Sequence, residues 1–261
     1  MSEIAILAKP TQPMWGVMEP VVQDGALILY NAMRQALDLP SVQVFNDQGF
    51  MELAPYVTAL RLSNQGLTTV PMELFLLENL EHLDLSGNAL ESLSQEMLSL
   101  TKLKVLDASR NQISQFPSLP LSVEKLYLKG NRLTDVPDLS QGFLKVLNLE
   151  KNQLRFSHQT AFPQTVETLM LSHNQIERLP DMGGLNILKV LLLNNNRLRD
   201  LPQSLKGLPV EKLEMDQNAL QAVPSVVEHL SELVVLHLKG NAIAEEPSWI
   251  QQLPELEEVC L

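Results

Sequence analysis

The chain has 261 residues, a formal net charge of -12 and a single cysteine. The acidic balance argues against a nucleic-acid binder and against a protein that binds an anionic membrane surface, because both need a basic surface. One cysteine excludes an internal disulfide framework and favours a reducing compartment. No apolar run approaches the ~20 residues of a membrane-spanning helix, and the N-terminal sequence lacks the pattern of a secretory signal. We therefore expect a cytoplasmic protein, while secretion without a readable signal stays open.

Residues 1–50 are predicted to form a helical N-terminal cap. The segment "MEPVVQDGALILYNAMRQAL", residues 18–37, has the spacing of one amphipathic helix that is weakened at Gly25. The segment "SVQVF", residues 41–45, predicts an irregular strand. A helix here would cover the first coil of the repeat that follows, and an independent binding role for it stays open. The apolar face of the helix is expected to contain Val21, Val22, Leu27, Leu29, Met33 and Leu37.

Residues 51–261 contain a sequence repeat. The pattern L-x-x-L-x-L-x-x-N-x-L occurs eight times from Leu80 onward, with steps of 20 to 23 residues between asparagines. A ninth copy precedes these with Gln65 in the asparagine position, and a partial tenth, "LEEVCL", ends the sequence. We assign this range to one domain of about nine full repeats and a partial one. The asparagines are Asn88, Asn111, Asn131, Asn152, Asn174, Asn196, Asn218 and Asn241.

The centre of each copy, positions 3 to 5 of the pattern, predicts a short β-strand. Successive side chains of a strand alternate between its two faces, so the leucine at position 4 points inward while positions 3 and 5 point outward. One coil alone cannot bury its leucines, and stacked coils join them into a continuous core. The asparagine fits a tight turn after the strand, where its amide can bond with backbone groups that the turn leaves unpaired.

This pattern resembles that of the leucine-rich repeat family, and its short, proline-marked coils are similar to those of bacterial members. The resemblance implies an α/β fold, namely a curved, right-handed solenoid with a parallel β-sheet on its concave face. The convex face is expected to be mostly extended or turn-like, with helical turns only within residues 71–80, 94–100 and 224–233. Some bacterial members are effectors delivered into host cells. Such effectors often add a C-terminal catalytic domain with a nucleophilic cysteine, and this sequence has none.

Charges of opposite sign alternate at position 2 of the pattern. Neighbouring strands lie roughly 4.8 Å apart, so this row is expected to form a ladder of ion pairs. Exposed pairs contribute about 0.5 kcal/mol each, and we interpret the ladder as structural, with its main effect on register. The residues are Glu81, Lys104, Glu124, Lys145, Glu167, Lys189 and Glu211.

No motif in the sequence assigns a catalytic, metal or cofactor site. Cys260 has no neighbouring histidine in the pattern, and we interpret it as a small hydrophobic residue rather than a nucleophile. His82, Asp84 and Asp107 converge on the outward face of the second and third strands. An acid–base or metal site there is an alternative to ordinary solvated charges. We expect no enzyme activity, no metal and no cofactor.

A run of apolar residues lies on the concave face in coils four to seven. Val and Tyr suit β-strands and need no functional explanation, but Met170 and Leu192 stand at position 5, where other coils favour polar residues. A contiguous apolar patch with a polar rim is typical of an interaction site. Three carboxylates flank the run along the stack. The candidate binding residues are Tyr127, Asn148, Met170, Leu192, Val146, Val190, Asp84, Asp107 and Glu214.

The sequence therefore predicts a non-enzymatic scaffold that binds a protein partner on its concave face. The flanking carboxylates favour a partner with some basic character. Two alternatives stay open: a bacterial effector that acts on host proteins, and an enzyme or metal site at the acidic end of the concave face. Val259 and Leu261 occupy inward positions of the partial last coil, so a dimer through this end is possible. Acidic residues beside them discourage strand pairing, and a monomer is expected.

Overall fold

The computed structural model describes residues 25–43, 46–156 and 159–261. Two helices, α1 (Gly25–Ala36) and α2 (Asp47–Leu53), precede ten strands of three residues each. The strands are β1 (Ala59–Arg61), β2 (His82–Asp84), β3 (Val105–Asp107), β4 (Lys125–Tyr127), β5 (Val146–Asn148), β6 (Thr168–Met170), β7 (Val190–Leu192), β8 (Lys212–Glu214), β9 (Val235–His237) and β10 (Glu258–Cys260). Each strand occupies positions 3 to 5 of its repeat, as predicted.

The ten strands form one parallel sheet in which spatial order follows chain order. Each strand pairs with the next at equivalent positions of the repeat. Leu60 therefore lies opposite Leu83, and Leu83 lies opposite Leu106. A strand followed by a crossover and a parallel strand is the repeating unit of a solenoid. The predicted α/β solenoid with a parallel sheet along one face is confirmed.

The leucines of the repeat form one continuous core beneath the sheet. Leu106, Leu147 and Leu191, at the centres of three strands, are fully buried, as the alternation of side chains requires. The last strand differs, because Val259 is 37% exposed and no described coil lies beyond it. The stack therefore buries its leucines by contact between neighbouring coils.

Helix α1 covers the first coil with a face slightly different from the predicted one. Ala26, Leu29, Tyr30 and Met33 are buried, which is the i, i+3, i+4, i+7 spacing of one helical face. Leu27 is only half-buried, so its predicted place on this face is wrong. Val21 and Val22 lie outside the described residues. Within the described part of the chain, neither helix is long and apolar enough to cross a membrane.

Helix α2 links the cap to the first strand. The side chain of Asn46 caps it by accepting a hydrogen bond from the backbone nitrogen of Gly49 at 3.2 Å. The expected domain boundary at residue 50 falls inside this helix. The irregular strand expected at 41–45 is not formed by residues 41–43, and residues 44 and 45 lie outside the described residues.

The convex side consists of turns and single-turn 3-10 helices. Three of these helices, Met72–Leu76, Gln95–Ser99 and Ser225–His229, lie within the segments predicted to form helical turns. Shorter ones occur at Gln203–Leu205 and Ile250–Gln252. Segments of 17 to 20 residues cross from one strand to the next. Prolines near the middle of several of them, such as Pro71 and Pro202, favour extended or turn backbone.

The asparagines connect successive coils through their side-chain amides. Asn152 donates from Nδ2 to the carbonyl oxygens of Leu128 and Leu149, both at 3.0 Å. Its Oδ1 accepts from the backbone nitrogen of Leu133 at 3.0 Å. Leu128 and Leu133 belong to the preceding coil and Leu149 to its own, so one buried amide satisfies backbone groups of two coils. The predicted role in the turn is confirmed, and it extends to the neighbouring coil.

The residue before each asparagine adopts a left-handed backbone. Gly87 has φ +69° and Arg110, at the same place in the next coil, has φ 54°. Glycine adopts this conformation without the steric cost that other residues have. A Cβ on Gly87 would also lie 2.2 Å from the Oδ1 atom of Asn64, an exposed side chain that would have to move aside.

The predicted ladder of charges forms three close ion pairs. Lys104 binds Glu81, Lys145 binds Glu124 and Lys189 binds Glu211, each at 2.7 Å. The Glu81 carboxylate raises the pKa of Lys104, and Lys104 in turn lowers the pKa of Glu81. These pairs join adjacent strands along the sheet, which is consistent with a structural role in register.

Candidate functional site

The strand register brings the nine candidate binding residues onto one face of the sheet. Seven of them stand at position 5 and follow one another across adjacent strands from β2 to β8. Val146 and Val190 stand at position 3 of the same face. In order, the position-5 row is Asp84, Asp107, Tyr127, Asn148, Met170, Leu192 and Glu214.

Five half-buried side chains form the apolar part of this face. Met170 and Leu192 lie directly opposite each other on β6 and β7, with Val190 two residues from Leu192 on the same strand. Tyr127 lies one strand beyond Asn148. We call this set, which comprises Tyr127, Val146, Met170, Val190 and Leu192, the concave apolar patch.

Asn148 divides the concave apolar patch. It is buried, and its Oδ1 accepts a hydrogen bond from the backbone nitrogen of Glu150 at 3.1 Å. An asparagine that bonds to the backbone two residues on holds its side chain along its own strand end. Asn148 therefore contributes to local structure, and the centre of the exposed apolar surface lies at Met170 and Leu192.

The carboxylates that flank the patch already have partners within the chain. Asp84 forms an ion pair with Arg61 at 3.4 Å. Glu214 accepts hydrogen bonds from Lys212 at 2.7 Å and from Asn194 at 2.6 Å. Burial raises the pKa of Glu214, but the bonds from Lys212 and Asn194 outweigh it, so the pKa lies below its ordinary value. Glu214 is thus ionised and held in place.

Asp107 differs from the other two carboxylates. Its Oδ1 atom accepts only from the backbone nitrogen of Ser109 at 2.8 Å, and no ion pair to it occurs among the described residues. Asp107 lies directly opposite Tyr127 on the next strand. Asp107 is therefore the flanking carboxylate that is most available to bind a donor group of a partner.

A cleft at the N-terminal end of the concave face adjoins this row. It has a volume of about 470 Å³, and helix α1 forms one of its walls. The repeat pattern could not predict this cleft, because the pattern does not specify where helix α1 lies. Helix α1 lines the cleft with Ala32, Gln35 and Ala36. The sheet lines it with residues that include Arg61, His82, Asp84, Asp107 and Tyr127.

At the acidic end of the concave face, the ligand atoms of His82, Asp84 and Asp107 do not lie close enough together to hold a metal ion. His82 is exposed at position 3, and Asp84 is occupied by Arg61. Among the described residues, the group whose ligand atoms approach one another is His237, Glu258 and Cys260. The interpretation that Cys260 lacks a neighbouring histidine is wrong, since β9 places His237 directly opposite it.

The convex side carries a second apolar surface that the sequence reasoning missed. Leu121 is 61% exposed and Phe143 is 56% exposed, and both line a groove of about 520 Å³. The spacing of 20 residues between Asn111 and Asn131, the shortest step in the repeat, was a possible signal of an irregular coil here. We call Leu98, Phe116, Leu119, Leu121, Leu139 and Phe143 the convex apolar groove.

The comparisons with known proteins agree with the fold. A profile of the family described as leucine rich repeat matches residues 55–113, and comparison with curated proteins gives no match. A leucine-rich repeat protein of Leptospira interrogans is 27% identical with a TM-score of 0.61, over 85% of this chain and 66% of that one. YopM, a leucine-rich effector protein of Yersinia pestis, is 22% identical with a TM-score of 0.59, over 88% and 74%.

A plant protein with a bound ligand is similar as well. The plant peptide hormone receptor RGFR1, solved in complex with RGF2, is 22% identical with a TM-score of 0.61, over 82% of this chain and 41% of that one. At this identity the likeness is one of fold alone. This chain spans 66% of the length of the Leptospira protein and less than half of the plant receptor. The repeat, the ten-stranded parallel sheet and the family match over residues 55–113 together show that the chain has a leucine-rich repeat fold.

Proposed function

We propose that the chain is a non-enzymatic scaffold that binds a protein partner on its concave face. The observation that carries this proposal is the pairing of Met170 with Leu192, two apolar side chains in register at a position that most other strands fill with polar residues. Leucine-rich repeats commonly serve in protein–protein interaction, and the similar plant peptide hormone receptor RGFR1 was solved in complex with RGF2. Binding of a protein or peptide is the function that this face supports best.

The concave apolar patch has the composition of an interface centre. Tyr and Met are enriched in interface cores, and Met adapts its shape to an irregular partner surface. The patch extends over strands β4 to β7, which corresponds to about 15 Å at ~4.8 Å per strand. This length suits a few anchoring side chains of a partner, with the surrounding polar residues forming the rim.

The charge around the patch favours a partner segment with a basic group. Asp107 lies next to Tyr127 without an ion-pair partner among the described residues, whereas Asp84 and Glu214 are bound to Arg61 and Lys212. A charged group at the rim of an interface contributes mostly to orientation and association rate. We therefore place the basic group of the partner at the Tyr127 side of the patch.

The non-enzymatic part of the proposal is supported by the state of the acidic end. A general acid or base needs a neighbour that tunes or orients it, together with access to a substrate. His82 is exposed, and the carboxylate of Asp84 is paired with Arg61. A role as an effector in host cells is not proposed, because a likeness of 22% identity to YopM extends to the fold alone.

The experiment compares two double variants that change equal numbers of apolar residues on opposite faces. Met170→Glu with Leu192→Glu alters the concave apolar patch, and Leu121→Glu with Phe143→Glu alters the convex apolar groove. The wild type and both variants are immobilised and incubated with lysate of the encoding organism. Thermal melts first establish that all three are folded, so that lost binding is not lost structure.

We expect the wild type and the convex variant to retain the same protein, and the concave variant to lose it. A charge buried in an interface core without a partner costs several kcal/mol, which removes a complex of ordinary affinity. Equal retention by all three proteins, or loss only in the convex variant, would refute the placement on the concave face.

A further inference from the structure

Three side chains with different donor atoms meet at the C-terminal end of the concave face. His237 ends strand β9, and Cys260 lies directly opposite it on β10. Glu258 precedes Cys260 by two residues and so points to the same face of the sheet. Their ligand atoms, one from each residue, all lie within 4.8 Å of one another, and the Nε2 of His237 is 2.8 Å from Oε1 of Glu258.

This separation is close to what a tetrahedral metal ion requires. Zinc binds nitrogen at about 2.0–2.1 Å and sulfur at about 2.3 Å, so neighbouring ligand atoms around it lie about 3.3–3.6 Å apart. Rotation of the side chains by about 1 Å at their ends would bring the three groups to that spacing. Glu258 can make this movement because its side chain is 57% exposed. The strands themselves need not move, since their hydrogen bonds hold the backbone in register.

We propose that His237, Glu258 and Cys260 form a Zn²⁺ site. Thiolate and imidazole together select against Mg²⁺ and Ca²⁺, which prefer oxygen ligands, and a carboxylate is a poor ligand for Cu⁺. Zinc is the common divalent ion that accepts sulfur, nitrogen and oxygen in one tetrahedral site. This site goes beyond the proposed partner-binding function, since it lies two strands away from the concave apolar patch.

The three ligands leave the fourth position of the metal open. Structural zinc sites are usually closed by four protein ligands, whereas an open position holds water or a group of a bound molecule. Here the open position points away from the sheet, into the space in front of the concave face, because all three ligands rise from that face. The site is therefore one that coordinates an external oxygen, nitrogen or sulfur ligand.

The surroundings of the three ligands favour a cation. Glu214 lies opposite His237 on the neighbouring strand, and the chain as a whole carries a net charge of -12. Glu214 is held by Lys212 and Asn194, so it is not available as a further ligand to the metal. On binding, the Cys260 thiol would lose its proton to solvent and His237 would offer the lone pair of Nε2.

The simpler interpretation is that His237 and Glu258 form an ordinary surface hydrogen bond and that Cys260 is an unreactive thiol. Cobalt substitution separates the two interpretations. Co²⁺ bound by a thiolate gives an intense charge-transfer absorption in the near ultraviolet, and Cys260 is the single cysteine of the chain. Such a band in the purified wild-type protein would therefore identify Cys260 as a ligand without any variant.

Zinc affinity is measured on the metal-free chain by competition with a chromophoric chelator. The variants are His237→Ala, Cys260→Ser and Glu258→Gln, and the matched control is His82→Ala, which removes the exposed histidine at the other end of the same face. Loss of even an outer-shell partner of a zinc ligand costs about 10- to 100-fold in affinity, so each ligand variant should lose at least tenfold.

The expected result is one Zn²⁺ per wild-type chain, a thiolate band with Co²⁺, weaker binding in the three ligand variants and unchanged binding in His82→Ala. Glu258→Gln keeps the test valid if another variant fails to fold, because that side chain lies at the surface. Absence of binding, equal affinity in all variants, or one Zn²⁺ shared by two chains would overturn the proposal of a site within one chain.

Discussion

Replacement of Asn152 by alanine is expected to destabilise the protein by about 2–5 kcal/mol. The side chain is 8% exposed and bonds to backbone groups of two coils. Leu128 and Leu149 each retain a second amide donor, from Asn131 and Asn174. The backbone nitrogen of Leu133, however, has Asn152 as its partner, and a buried donor left without an acceptor costs about 1–3 kcal/mol. The two weakened carbonyl bonds contribute about 0.5–1 kcal/mol each.

The measurement is urea unfolding followed by circular dichroism, with Gln65→Ala as the matched control. Gln65 occupies the same repeat position in the first coil, but it is exposed, and its side chain donates only to the carbonyl oxygen of Ser63 at 3.1 Å. An exposed substitution of this kind changes stability by less than about 0.5 kcal/mol. If Asn152→Ala and Gln65→Ala unfold at the same urea concentration, the connection between coils does not stabilise the stack.

Three further predictions follow from the cap, the turns and the ion pairs. Leu29→Ala should lower the free energy of unfolding by about 2–5 kcal/mol, and Leu27→Ala by clearly less, in calorimetry, because only Leu29 is fully buried. Gly87→Ala should lower the free energy of unfolding by about 1–2 kcal/mol, measured in the same way, because φ is +69°, a conformation that is costly for a residue with a Cβ. Lys104→Gln should lower the melting temperature at neutral pH but not in acid. The folded-state pKa of Glu81 is lowered, so the ion pair loses its stabilising effect when the pH falls through that pKa and Glu81 becomes protonated.

The repeat was predictable because each of its positions has one physical task. Position 4 must be apolar and the asparagine must bond in the turn, so the pattern defined all ten strands and their register. The ion-pair ladder followed from the same register, as the Glu81 and Lys104 contact illustrates. These features depend on contacts between neighbouring coils, which a fixed period in the sequence describes.

The cap and the convex side were less predictable because they do not repeat. Leu27 was assigned to the buried face of α1, yet tertiary packing selected Ala26 and Tyr30 instead. The apolar spacing fits both choices, and only the position of the helix against β1 decides between them. The convex apolar groove was missed for a related reason, since exposed Leu121 and Phe143 lie in segments without periodic signal.

The error at Cys260 concerns a residue whose neighbours were already determined by the pattern. Position 5 does not contribute to the core, so packing leaves its residue type free, and the register alone decides which side chains meet. The same reasoning that placed Met170 beside Leu192 also places His237 beside Cys260. In a parallel solenoid, the residues that carry binding chemistry are therefore found by comparing one repeat position across successive coils rather than by following the chain. Coils in which that position is not polar, as at Met170, Leu192 and Cys260, are the places to test.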